Sequence, residues 1–270
     1  MTPPAQRIGL IAGAGDIPPY FAKKAQDKGI PVVSISLTED IGRRLSPLVD
    51  RNHSIGIGQA GKIRKTLEME CVTQLLLLGK VEKNMVFRWQ KFDLEALKFL
   101  RSLKSHQDKS IMTTIIREAE KQGVTVLDQK EFIPELFPEE GVLTRRRPSK
   151  KQQEDIRFGM PIARSMADQE IGQTLVVKNR TVIAVEGVEG TDAAIDRGCS
   201  LAHGECTVIK VSRTAQDYRF DSPGIGPDTV EHLARGKASV LALEAGRVMV
   251  MDRTRVLERA DRAGLAVVCV

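Results

Sequence analysis

Aromatic residues are scarce in this chain: one Trp, two Tyr and eight Phe make up 4% of it. So few rings argue against base-stacking platforms for single-stranded nucleic acid. Long apolar runs are also missing. The longest, Leu265 to Val270, falls far short of the roughly 20 residues a bilayer helix needs. The opening Met1 to Arg7 has no charged segment feeding a long apolar core, so no secretory signal is expected and the chain is placed in the cytoplasm. Cysteine is limited to Cys71, Cys199, Cys206 and Cys269, too scattered for a disulfide framework, and free thiols are expected. Cys199, His203 and Cys206 are spaced like zinc ligands, but no second pair lies near to complete a site. G-x-S-x-G and H-E-x-x-H are both absent, which removes the common serine-hydrolase and zinc-protease arrangements. Carboxylates are left to carry any chemistry.

What is present is enough for one large or two ordinary domains: 270 residues, 41% hydrophobic. The net charge is +6, and all of it lies in the first 133 residues, with 21 basic against 15 acidic there and 20 against 20 afterwards. That surplus favours an anionic partner: a nucleotide, a nucleic acid or an acidic membrane face.

Ile8 to Ile11, then the glycine turn at residues 13–15, then an amphipathic stretch from Pro19 to Lys28 reads as strand, turn, helix. The pattern recurs with strands at Val32 to Leu37, Gln74 to Leu78 and Val124 to Leu127. Helices are expected at Ala60 to Glu70, from an Asp93 cap over Leu94 to Leu103, and from an Asp108 cap to Gln122. Such alternation predicts a small parallel-sheet, Rossmann-like domain over residues 1–133. Three prolines and Arg145-Arg146-Arg147 mark the crossing to a second domain, residues 134–270. There a Ser149-capped helix precedes a hairpin, Thr174 to Lys178 and Thr181 to Glu186, turning at Asn179-Arg180. Helices from Thr191, Asp228 and Arg253 then alternate with strands at Thr207, Val240, Val248 and Ala266, so this half is mixed α/β.

Four segments could carry chemistry. Gly13, Gly15 and Asp16 sit where backbone amides and a helix start would favour a phosphate. Pro18 replaces the third glycine of the dinucleotide fingerprint, and a tight turn without ligand remains open. Lys80 and Lys83 follow the Leu75 to Leu78 strand and could reach phosphate oxygens or simply be solvated. In Glu186-Gly187-Val188-Glu189-Gly190-Thr191-Asp192, three acids flank one turn. Asp192 suits a divalent cation there, or serves only the helix dipole, with Thr191 as a cap. Between Gln216 and Thr229 four Gly or Pro breaks make a rigid loop. Asp221 in it could activate water or ligate metal, and Arg219 suits phosphate, or the segment is only an ordinary rigid loop.

Ile8 to Pro18, Leu143 to Arg146, Ile171-Gly172-Gln173, Glu189 to Ala193, Gln216-Asp217 to Gly226, Glu244-Ala245-Gly246 and Asp252-Arg253 together resemble the LpxI-type UDP-2,3-diacylglucosamine pyrophosphatases of lipid A synthesis. The resemblance spans nearly the whole chain and is most specific after Glu189. It implies hydrolysis of the pyrophosphate to UMP and 2,3-diacylglucosamine 1-phosphate, with the lipid-linked nucleotide sugar held between two domains. It further implies Mg2+ or another divalent cation, peripheral association with the inner membrane and no nucleic acid; a homodimer is left open. Asp221 takes the place of the family's essential C-terminal aspartate, with Asp192 as a second acid and metal position. The substrate-binding set is then Gly13, Gly15, Asp16, Lys80, Thr191, Gln216 and Arg219. The chain departs from the family at Asp108-Lys109, where paired acids are usual, and at Ser222-Pro223-Gly224.

Two other classes stay in view. An NAD-dependent oxidoreductase would use Glu39 or Asp40 to hold a ribose, and a non-catalytic nucleotide-sugar or RNA-binding module would explain the charge.

Overall fold

The computed structural model describes residues 7–80, 93, 95–96 and 108–270. Lys83 and nearly all of the expected Leu94 to Leu103 helix lie outside the described residues. Asp93 is within them, and its Oδ1 accepts from the Ala96 amide at 2.8 Å as a helix cap would. The chain divides into two compact units between Phe132 and Ile133.

The first unit runs β1 (Ile8–Ala12), α1 (Ile17–Asp27), β2 (Val32–Ser36), α2 (Glu39–Leu45), β3 (Arg51–Ser54), α3 (Ala60–Met69), β4 (Gln74–Leu78), α4 (Asp108–Lys121), β5 (Thr125–Val126) and α5 (Gln129–Phe132). Its five strands pair in the order β3-β2-β1-β4-β5, all parallel. Strands covered on both faces read as nearly unbroken apolar runs, and β1, β2 and β4 are buried along almost their whole length. Leu10, Ile35, Leu75 and Leu76 are among the largest fully buried side chains. The chain builds outward from β1 through β2 to β3, then crosses to β4 on the other side. The order therefore reverses between β1 and β4, whose carboxyl ends face the expected ligand crevice of such a sheet.

The second unit opens on a 3-10 turn (Pro134–Leu136) and continues β6 (Gly141–Val142), α6 (Lys150–Asp168), β7 (Thr174–Lys178), β8 (Thr181–Val185), α7 (Thr191–Ala202), β9 (Thr207–Lys210), β10 (Gly224–Ile225), α8 (Pro227–Arg235), β11 (Val240–Leu243), β12 (Met249–Val250), α9 (Arg253–Arg262) and β13 (Ala266–Cys269). A six-stranded sheet has the order β6-β13-β11-β9-β7-β8. Its β13, β11 and β9 are parallel and the other three antiparallel to their neighbours. Side chains alternate between faces. Val176, Val208, Leu241 and Val267 enter one core with Ile195, Leu233 and Val256 of α7, α8 and α9. Leu175, Val177, Ile209, Val240 and Ala242 enter the other with Ile156 and Ala163 of α6.

Local chemistry fixes the ends. Ser149 and Gln152 exchange bonds with each other's backbone amides as a capping box at the start of α6. The β7–β8 hairpin turns with both Asn179 and Arg180 at positive φ, 54° and 55°. Buried Asp155 accepts from both turn amides, at 3.2 and 2.6 Å. Among the described residues no helix is long and apolar enough to cross a membrane.

Candidate active site

In the first unit the glycine turn closes against the loop after β4. Ala14 and Lys80 exchange backbone hydrogen bonds of 2.8 Å each way. A Cβ on Gly13 would stand 2.5 Å from the Lys80 carbonyl oxygen, so this bridge by itself demands glycine there. Gly15 differs: its φ is +106° and a Cβ would meet nothing within 4 Å, which leaves an open approach beside the turn. Arg44 donates to the Gly15 carbonyl at 3.2 Å and to Asp16 Oδ1 at 2.6 Å. Pro18 and Pro19 remove two amides from the first turn of α1, so this helix start offers fewer donors to an anion than an ordinary one. Lys80 Nζ has no partner among the described residues. Glu39 and Asp40 are first-turn acids of α2, capped by Thr38.

In the second unit the polar residues gather at the carboxyl ends of β9 and β11, the usual ligand side of parallel strands. Lys210, last in β9 and 4% exposed, donates from Nζ to Thr191 Oγ1 at 2.8 Å. Thr191 donates onward to Glu186 Oε1 at 3.0 Å, and Glu186 Oε2 accepts from the Gln173 amide at 3.2 Å. A Cβ on Gly172 would lie 2.3 Å from the Glu186 carbonyl oxygen, which explains glycine before Gln173. Thr191 opens α7 behind Gly190, and no side chain caps this end. The amides of Thr191, Asp192 and Ala193 have no partner among the described residues, so α7 presents three free donors and its positive dipole end. Asp192 Oδ1 accepts from Thr229 Oγ1 at 3.1 Å.

Asp221 is the most firmly oriented of the candidates. Its Oδ2 accepts from Arg213 Nη1 at 2.7 Å and from Gln216 Nε2 at 2.8 Å, and Gln216 Nε2 also reaches the Asp221 carbonyl at 2.7 Å. Gln216 is turned this way because its Oε1 accepts from the Arg213 amide at 3.2 Å and from Gln173 Nε2 at 3.1 Å. Oδ1 of Asp221 keeps no partner among the described residues, and the side chain is 40% exposed. Arg219 instead embraces Asp217, with Nε and Nη2 at 2.9 and 2.8 Å from its two oxygens.

The structure thus joins Thr191, Gln216 and Asp221 in one hydrogen-bonded chain from Lys210. It packs Gly13 against the Lys80 carbonyl, ties Asp16 to Arg44, and sets Arg219 on Asp217. The three acids around the α7 turn take separate partners: Glu186 on Gln173 and Thr191, Glu189 on Arg197, Asp192 on Thr229. The hydrogen bond from Arg197 holds the Glu189 carboxyl below the usual range. Among the described residues no three His, Cys, Asp or Glu side chains group as a metal cage. Cys199 and Cys206 are buried free thiols with sulfurs 3.6 Å apart, and His203 is the left-handed residue that ends α7.

Sequence reasoning missed Arg164, Arg213, Arg247, Ser212 and Tyr218, and gave Glu244 no role. Glu244, 5% exposed, accepts from Arg164 Nη2 at 2.5 Å and from the Ser212 amide at 2.8 Å. Ser212 Oγ and Tyr218 Oη are 3.0 Å apart, and Tyr218 donates to the Arg247 carbonyl at 3.1 Å. A signal was available for Arg213: it lies three residues beyond the end of β9, where ligand contacts concentrate.

Two family models match side by side, the LpxI N-terminal domain over residues 7–136 and the LpxI C-terminal domain over residues 139–268. A curated relative from Caulobacter vibrioides, named UDP-2,3-diacylglucosamine pyrophosphatase LpxI, is 31% identical over 275 residues, covering 97% of this chain and 96% of its own. Among solved structures, N5-carboxyaminoimidazole ribonucleotide synthetase from Thermotoga maritima overlaps 67% of this chain and 41% of its own at 17% identity, with a TM-score of 0.25. Glycinamide-RNase-transformylase T from Mycobacterium tuberculosis overlaps 67% and 44% at 12% identity, with a TM-score of 0.26. With both domain models matched in order and a relative aligned almost end to end, the chain belongs to the LpxI family.

Proposed function

We propose that this chain hydrolyses the pyrophosphate of UDP-2,3-diacylglucosamine, releasing UMP and 2,3-diacylglucosamine 1-phosphate in lipid A synthesis. The observation that carries the reading is the near end-to-end match to the Caulobacter relative of that name. The geometry around Asp221 agrees with it: an oriented carboxylate with one oxygen open, linked through Gln216, Gln173 and Glu186 to Thr191, which opens a helix with three free amides.

In this mechanism Arg213 and Gln216 hold Oδ2 of Asp221 and so aim Oδ1 outward. Oδ1 accepts a hydrogen bond from the attacking water and orients its lone pair toward phosphorus. Thr191, Asp192 and Ala193 offer amides to a non-bridging phosphate oxygen at the positive end of α7. Lys210 and Glu186 fix the Thr191 hydroxyl, which sets where that helix start lies.

A divalent cation belongs to the proposal. Magnesium is commonly held by one or two carboxylates with substrate phosphates completing its shell, and Asp221 Oδ1 and Asp192 Oδ2 are oxygens without a protein partner among the described residues. Carboxylate oxygens are the donors such an ion prefers, so Asp221 and Asp192 are its proposed protein ligands. Once bound, it would neutralise charge developing on the pyrophosphate oxygens.

In the first unit, Gly15, Asp16 and Lys80 are proposed to meet the nucleotide part, with Gly13 shaping the turn. The acyl chains place the enzyme at the membrane face as a peripheral protein. The test compares UMP release from UDP-2,3-diacylglucosamine with release from the sugar nucleotide lacking both acyl chains. Release from the acylated substrate by a wide margin is expected, and release from neither overturns the reading.

A further inference from the structure

Among the described residues, four buried side-chain nitrogen or oxygen atoms find no hydrogen-bond partner, and three of them are arginine Nε atoms: Arg164, Arg213 and Arg247. All three arginines belong to one cluster. Glu244 binds Arg164 Nη2 and the Ser212 amide; Arg247 Nε lies 2.9 Å from Glu244 Oε1 without the alignment of a hydrogen bond. Arg213 follows Ser212 and reaches Asp221, while Arg247 Nη2 donates to the Arg213 and Thr214 carbonyls. A buried donor left without a partner is costly, and here three sit together, Arg164 and Arg247 on Glu244 and Arg213 on Asp221.

The outer ends of these side chains are open, with Arg164, Arg213 and Arg247 exposed by 34%, 26% and 31%. A guanidinium offers Nε and one Nη as a parallel pair matched to two oxygens of a phosphate or carboxylate. Glu244 takes up Nη2 of Arg164 and leaves its Nε idle, and Asp221 takes up Nη1 of Arg213 and leaves its Nε idle. The acids facing the cluster are Glu244, Asp221 and Asp168, which equal the three arginines in number. The site is therefore short of acceptors rather than rich in net positive charge.

We propose that Arg164 and Arg247, held on Glu244, and Arg213, held on Asp221, form a receptor for a phosphoryl oxyanion. Arg213 keeps Nη1 on Asp221 Oδ2 and brings its idle Nε edge toward the incoming oxygens. The identity of the physiological anion as the substrate's pyrophosphate rests on the hydrolase reading above; binding of a phosphoryl oxyanion does not.

The test is calorimetric titration of the full chain with inorganic pyrophosphate and with UMP, each with and without magnesium. The comparison is wild type against Arg164→Lys, Arg213→Lys and Arg247→Lys, with the exposed Arg262→Lys as control. Lysine keeps the charge and loses the fork, so affinity for at least one probe should fall about tenfold in each cluster variant and stay level in the control. On wild type itself, the Nε–H resonances of the three arginines should move during the pyrophosphate titration, a readout that needs no variant to fold. Unmoved resonances, or equal affinity in all variants, would overturn the receptor. UMP release from UDP-2,3-diacylglucosamine is measured on the same preparations. Turnover with unmoved arginines defeats the receptor alone, whereas arginine-dependent pyrophosphate binding without turnover defeats the hydrolase reading alone.

Discussion

Arg213 Nη1 holds Oδ2 of Asp221 at 2.7 Å across eight residues of loop, and Gln216 closes the same oxygen from the other side at 2.8 Å. Two donors on one oxygen leave the other directed away from the protein.

If Asp221 orients water or metal as proposed, replacing it with Ala should lower kcat by about two or more orders of magnitude while the melting temperature changes little. Asp192→Ala should be impaired less. Kinetics and thermal unfolding on one preparation decide it: parallel loss of stability and activity would make Asp221 structural.

The glycine turn separates two effects. Gly13→Ala drives a methyl into the Lys80 carbonyl and should cost roughly 1–3 kcal/mol in urea unfolding. Gly15→Ala meets open space and bears only the strain of its φ, about 1–2 kcal/mol. If substrate approaches this turn, Gly15→Ala should raise KM well beyond its loss of stability. An unchanged KM would take Gly15 out of the binding set.

Most elements were legible because parallel strands buried on both faces announce themselves as apolar runs, and β4 coincides with Gln74 to Leu78. Strand β3, Arg-Asn-His-Ser, has no such run. It is an edge strand held by polar bonds, with Asn52 Oδ1 accepting from the buried Ser34 and Ser36 hydroxyls at 2.7 Å each. Strands of two residues, such as β6 and β10, are too short to show a period. Asp221 could be singled out from the proline and glycine breaks around it. Of the arginine cluster only Arg213 could, from its place after β9; the pairing of Arg164 with Glu244 spans 80 residues and leaves no local trace.

Acid should reveal Asp168. The amide and hydroxyl of Thr214, at 2.6 and 2.8 Å, hold its carboxyl below the ordinary aspartate value. A depressed pKa stabilises the fold above the unfolded value, and the contribution is lost as pH falls through the folded one. Asp168→Asn should therefore melt lower than wild type at pH 7, with the gap closing below about pH 4. A gap that persists or widens in acid would contradict the assignment.

Thiol reactivity should split one against three. Cys71 is exposed, whereas Cys199, Cys206 and Cys269 are buried, and burial pushes the Cys269 thiol up to about 11. Ellman's reagent should modify Cys71 quickly in the native protein and the other three only after unfolding. Fast reaction of a second thiol would show that one of the buried sites opens.

Incubating the purified chain with UDP-2,3-diacylglucosamine and magnesium, then quantifying both products, decides whether it is the hydrolase. Wild type should release UMP and 2,3-diacylglucosamine 1-phosphate in equal amounts, dependent on lipid and cation, and Asp221→Ala should release almost none. Folded wild-type protein that yields no UMP across several divalent cations would rule out the hydrolysis.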